Sequence, residues 1–182
     1  KVFEVLSSTG NINVTGGTLE LIPTSGTSTN SPNHIILSNA SLGNLIVNRA
    51  SSTSVVLLNT YPLRVLGNLT LTSGDLNANS LDVSVGGNFT VSNGTTYTTG
   101  TNWTVFNGRG NQNFTVNTAS ALSLKKLKLD KPSGTTLTLA GSQSVISVAD
   151  SMMIMNCNLA DGGKTINFIT SATTTTSYLY NS

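Results

Sequence analysis

The chain has 182 residues, with nine Lys or Arg, seven Asp or Glu, one His and a formal net charge of +2, set against 28 Thr, 24 Ser and 22 Asn. So few charges leave little for acid/base chemistry, and a net charge of +2 without a basic stripe is too weak a footprint for a nucleic-acid partner. A hydrophobic share of 37% and a mean hydropathy of +0.08 exclude disorder, yet no apolar run approaches the roughly 18 residues that cross a bilayer, so a β-rich extracellular chain that does not span a membrane is expected.

The chain begins at Lys1, and Lys1 to Gly10 lacks the apolar core of a signal peptide, so the expectation is a processed chain or an internal piece. Gly10-Asn11-Ile12-Asn13-Val14 then opens a five-residue word, Gly-Asn-apolar-x-apolar. The word returns as Gly43-Asn44-Leu45-Ile46-Val47, Gly67-Asn68-Leu69-Thr70-Leu71 and Gly87-Asn88-Phe89-Thr90-Val91, with a variant at Gln112-Asn113-Phe114-Thr115-Val116. From Asn to Asn the steps are 33, 24, 20 and 25 residues. Between and beyond these words lie further alternating pairs, Val83-Ser84-Val85, Leu127-Lys128-Leu129 and Leu137-Thr138-Leu139. Period two is the mark of half-buried strands, and Ser73-Gly74-Asp75, Asn93-Gly94, Ser133-Gly134 and Asp161-Gly162-Gly163 supply turns between them. Glu and Ala are sparse, and Thr, Val, Ile and Asn, which disfavour helix, dominate.

A longer echo overlies the short word. A shift of 82 residues carries Leu45 onto Leu127, Arg49 onto Lys131 and Val55 onto Leu137, and a shift of 83 carries Val65 onto Val148, Leu69 onto Met152 and Val83 onto Ile166. Units of about 20–25 residues are too small to bury their own apolar faces and must stack on their neighbours. The reading is therefore one all-β unit over residues 1–182, a parallel β-helix, right-handed, with the echo of 42–83 in 124–166 marking a segment of a longer repeat protein. About eight turns stacked about 4.8 Å apart would make a rod roughly 40 Å long. The Asn residues of the word, Asn11, Asn44, Asn68, Asn88 and Asn113, would form a ladder at one corner. The alternative is an antiparallel β-sandwich, which also has short strands at regular spacing.

The run from Val65 to Leu76, followed by Val85-Gly86-Gly87-Asn88-Phe89-Thr90-Val91 and Val105 to Phe114, resembles repeats of very large cell-surface and secreted proteins of Bacteroidota. Leu127 to Leu139 is similar to the next part of that pattern. The resemblance implies an adhesin-like chain that leaves the cell by the type IX secretion route, as some gliding adhesins do. It carries no catalytic residues over and implies no cofactor. Asp150-Ser151-Met152 also looks like the short O-glycosylation motif of that phylum.

A carbohydrate-active enzyme on this fold needs two carboxyl groups about 5–10 Å apart. Of Glu4, Glu20, Asp75, Asp82, Asp130, Asp150 and Asp161, the nearest pair within one turn is Asp75 and Asp82, yet Asp75 follows Ser73-Gly74 as turn residues do. His34 has no second His or Cys beside it and reads as a surface or corner residue, while Cys157 reads as a small buried apolar one. Lys125, Lys126, Lys128 and Lys131 form the single basic patch, either a solvated sheet face or a contact for an anionic glycan or surface. Thr95-Thr96-Tyr97-Thr98-Thr99 and Thr173 to Thr176 suggest an ice-binding grid, but these runs do not recur at the repeat spacing. The expectation is a structural and adhesive segment, not an enzyme, whose partners are flanking domains of the same polypeptide, other surface proteins, glycans or abiotic surfaces.

Overall fold

The computed structural model of the chain describes residues 2–6, 14–22, 34–49, 55–169 and 178–181. Each strand pairing among them is parallel, which excludes the sandwich and makes the molecule a β-solenoid. The chain visits three faces in turn. The first stacks Val2–Val5, His34–Ser38, Val55–Leu58, Asp75–Asn77 and Thr96–Thr98. The second stacks Leu63–Val65, Val83–Val85 and Trp103–Phe106, then continues into two long strands, Leu122–Asp130 and Val145–Met155. The third stacks seven strands, Thr18–Leu21, Asn44–Asn48, Leu69–Ser73, Phe89–Val91, Gln112–Val116, Thr136–Ala140 and Asn158–Ala160. Six steps between these seven strands give a stack about 29 Å deep, somewhat shorter than the eight turns expected.

Period two decides which residues enter the core. On the third face Leu45, Leu69, Phe89, Phe114 and Leu139 stand in one inward column, and Val47, Leu71, Val91 and Val116 in the next. On the second face Val65, Val85, Phe106, Leu129 and Ile154 do the same. No single coil encloses a core, so the apolar interior exists only because each coil covers the one below.

The Gly-Asn word has a steric and a hydrogen-bonding reason. The Asn68 N–H donates to Asn44 Oδ1, Asn88 N–H to Asn68 Oδ1 and Asn113 N–H to Asn88 Oδ1, each at 2.8 Å. A side-chain carbonyl thus extends the ladder past the strand end, satisfying a corner amide that the sheet does not reach. The glycine leaves room for that carbonyl: a Cβ on Gly87 would stand 2.5 Å from Asn68 Oδ1, and one on Gly67 would collide with Asn44 Oδ1.

The ladder's ends differ from the sequence reading. Asn11 lies outside the described residues, and the position beneath Asn44 belongs to Thr18, whose Oγ1 and the Gly17 carbonyl accept from Asn44 Nδ2 at 3.3 and 3.1 Å. Gly17-Thr18-Leu19-Glu20-Leu21 is the word with Thr in place of Asn, and it gives a step of 26 residues instead of 33. Above Asn113 stands Thr138, and the rung moves two residues, to Asn111 Oδ1 accepting from Thr136 N–H at 3.0 Å.

The 82-residue echo is not a stacking vector. It carries Leu45 on the third face to Leu127 on the second, and Val55 on the first face to Leu137 on the third. Farther along, the shift of 83 keeps Val65 and Val83 on the second face as Val148 and Ile166, so the echo follows no constant number of coils.

Candidate functional site

The four lysines of the basic patch do not form one surface. Leu122–Asp130 runs across a corner, its inward pattern broken at Lys125 and Lys126, and pairs with Trp103–Phe106 only from Lys126 onward. Lys126 therefore lies on the outward side of the second face, its ammonium 5.6 Å from the centre of the Trp103 ring and 3.5 Å from Asp150. Lys128 pairs with Asp130 at 2.8 Å. Both pairs are partly exposed and contribute at most about 1 kcal/mol each.

Lys131 corrects the expectation. It is 4% exposed, and its ammonium donates to the Gly108 and Gly110 carbonyls at 3.0 and 2.8 Å and to Gln112 Oε1 at 2.6 Å. Gln112, also buried, accepts from Gly108 N–H at 2.9 Å and donates to the Val85 carbonyl at 2.9 Å and to the Gly87 carbonyl. These two side chains tie three successive coils where the second face turns into the third. Burial lowers the Lys131 pKa, and the adjacent Cys157 opposes that shift. Cys157 itself is half-buried against the core, with its thiol pushed up by desolvation.

Arg49, which the echo aligned with Lys131, behaves alike. It is 1% exposed and donates to the Ile22 carbonyl at 2.8 Å and to His34 Nε2 at 3.1 Å. His34 is accordingly not a surface residue: it starts an inward column that continues through Val56, Leu76 and Tyr97. A guanidinium has only donors, so Nε2 is the acceptor here and the imidazole proton sits on Nδ1.

The carboxylates are engaged at corners. Asp75 Oδ1 accepts from Thr96 N–H at 2.9 Å and Asp82 Oδ1 from Trp103 N–H at 3.0 Å, each in the next coil. They begin strands on different faces and take the role that Asn fills in the ladder. Asp161 closes its own turn through Gly163 N–H at 2.9 Å, and Glu20 accepts from Asn48 at 2.9 Å. Desolvation raises the Asp75 pKa, against the Thr96 hydrogen bonds. The folded chain then holds this proton more tightly than the unfolded one, so Asp75 costs stability above the carboxylate range and that cost fades as pH falls through it. Asp75→Asn keeps the acceptor for Thr96 and removes the charge. Its melting temperature at pH 7 is expected to match or exceed that of the parent, with the difference vanishing near pH 3; a lowered value would show that the charge itself holds the corner.

One regularity escapes a search for Thr runs. The x of the word is Thr in three successive coils, and Thr70, Thr90 and Thr115 form an outward column between Ile46 and Ala140. Thr173 to Thr176 and most of the chain around them lie outside the described residues. Ser151 of the Asp150-Ser151-Met152 motif is half-buried on the second face beside Lys126.

A cavity of about 440 Å³ lies around the corner from Lys126, between Thr96–Thr98 and the start of Leu122–Asp130. It is lined by Thr96, Thr98, Thr99, Ser123 and Lys125 over Tyr97 and Leu122. Among the described residues no three His, Cys, Asp or Glu gather as metal ligands, and no helix is long and apolar enough to cross a membrane. Comparison with protein-family models, curated proteins and solved structures returns no match.

Proposed function

We propose that this chain is a structural and adhesive segment of a bacterial cell-surface or secreted repeat protein, a stiff spacer that carries a binding surface away from the cell. The observation that supports this most is where the polar groups go. The Asn rungs, Asp75, Asp82, Gln112 and the buried Arg49 and Lys131 all spend their hydrogen bonds between coils, holding the stack together. An enzyme on the same fold would direct two carboxylates into one groove instead. Length is added without enlarging the core, which suits a stalk, and the neutral Ser, Thr and Asn exterior limits nonspecific association. On this reading the chain works outside the cell, beside flanking domains or partner surface proteins, in the manner of the adhesin repeats it resembles.

A spacer must keep its length under load. Single-molecule extension of the chain between its termini is expected to give successive rupture steps, each releasing one coil of 20–26 residues, roughly 70–90 Å of extended chain. Unravelling at low force in one featureless event would overturn the spacer reading.

A further inference from the structure

The first face contains a break that the other two lack. Its sheet ends at Thr96–Thr98, although the chain returns over that strand one coil later. The returning strand, Leu122–Asp130, pairs below through Lys126 to Leu129 with Trp103–Phe106, leaving Leu122, Ser123 and Leu124 without a ladder partner beneath them. The link across the gap is a single side-chain bond, Lys125 N–H to Thr99 Oγ1 at 3.1 Å, which closes one end. Two strand edges with unpaired peptide groups thus face one another across a trough of about 440 Å³, a volume within the ordinary range of ligand sites.

The lining defines the chemistry. Thr96, Thr98 and Ser123 are exposed and bring hydroxyl groups to the walls. Tyr97 and Leu122, only 3% and 6% exposed, form an apolar floor. Lys125 borders the trough half-buried. Its three neighbours are all engaged, Lys126 and Lys128 with carboxylates and Lys131 with carbonyls, whereas Lys125 has no carboxylate within ion-pair distance among the described residues.

We infer that this trough is a binding site for an acidic saccharide, a chain of pyranose units bearing uronate carboxylates. A sugar ring has apolar C–H faces and a rim of hydroxyls, which match an apolar floor between hydroxyl and peptide walls. The uncompensated ammonium supplies a charge-assisted bond to a carboxylate. An inserted peptide strand fits less well, because its alternate side chains would point into the interior, where Tyr97 and Leu122 leave no space. The assignment deepens the adhesive half of the proposed function and leaves the spacer half untouched, since the extension experiment reads mechanics and the following one reads binding.

The probe is tetragalacturonate, titrated into the isotopically labelled full chain and followed by amide shifts, with neutral cellotetraose in parallel. Shifts are expected at 96–99 and 121–125 with the acidic probe, weakening as salt screens the contact. Lys125→Gln is expected to weaken binding roughly tenfold and Ser123→Phe, which fills the trough from an exposed position, to abolish it, both with unchanged melting temperature. Three results would each overturn the inference: groove amides that do not shift, Lys128→Gln weakening binding as much as Lys125→Gln, or an extended Gly/Thr peptide protecting the Thr96–Thr98 amides from exchange where tetragalacturonate does not.

Discussion

Phe89→Ala is expected to lower the urea midpoint sharply, corresponding to about 3–5 kcal/mol, with a melting temperature reduced on the order of 10 °C. Phe89 is completely buried at the middle of the stack, with ring centres 5.1 Å from Tyr97, 5.2 Å from Phe114 and 6.4 Å from Phe106. Removing the ring opens a cavity that three neighbours in three directions cannot jointly fill. The position also carries the cooperativity of the molecule. In a one-dimensional stack each coil is stabilised by its neighbours, so weakening a central coil uncouples the two halves. The unfolding curve of Phe89→Ala is therefore expected to broaden or split into two phases. Phe89→Leu repeats the residue found at Leu69 in the same column and is expected to cost less than about 1.5 kcal/mol while remaining a single transition. Equal losses for the two variants would mean that a leucine cannot take the place of the ring and that the aromatic contacts, more than the buried volume, hold the column.

Lys131→Met is the second large effect. Methionine preserves the length of the stem but withdraws the donors from the Gly108 carbonyl, the Gly110 carbonyl and Gln112 Oε1 in a corner with little access to water. The stranded acceptors are expected to cost about 2–4 kcal/mol. Lys128→Met, three residues earlier in the same patch of sequence, removes only a partly exposed pair with Asp130 and is expected to cost about 0–1 kcal/mol. Adding Gln112→Leu to Lys131→Met removes a stranded acceptor along with its donor, so the double variant is expected to be less destabilised than the sum of the singles. Denaturant midpoints for the four proteins decide the matter. If Lys131→Met and Lys128→Met behaved alike, the buried cation would have no structural weight.

These contrasts mark where the sequence was informative and where it was silent. The strands and their inward residues are legible because alternation is a local property: Leu69-Thr70-Leu71 and Phe89-Thr90-Val91 declare their buried sides without reference to any other segment. The Gly-Asn word is legible for a related reason, since at Gly67 and Gly87 the Asn carbonyl of the coil below occupies the space a Cβ would take. Even the pairing of Arg49 with Lys131 in the echo reflects a shared fate, as both cations turn inward onto main-chain carbonyls. Nothing in the sequence marks that fate, because a lysine one residue after Asp130 reads like any other member of a basic cluster. Its burial depends on the loop from Asn107 to Asn111 in the coil below, which presents the carbonyls.

By itself, then, the sequence determined the strand class and the Gly-Asn corner chemistry, which follow from demands felt within a few residues, while the pairings between coils chose parallel stacking over the antiparallel sandwich that the same strands allow. Only the tertiary structure decided which coil lies over which. Coils differ in length, so the rung under Asn44 is Thr18 and not Asn11, and a shift of 82 residues lands on a different face. The same variation detaches the start of Leu122–Asp130 from Thr96–Thr98 and opens the trough beside Lys125. Register between coils is set by the summed lengths of turns and by what packs inside. Neither is written in any one stretch of residues.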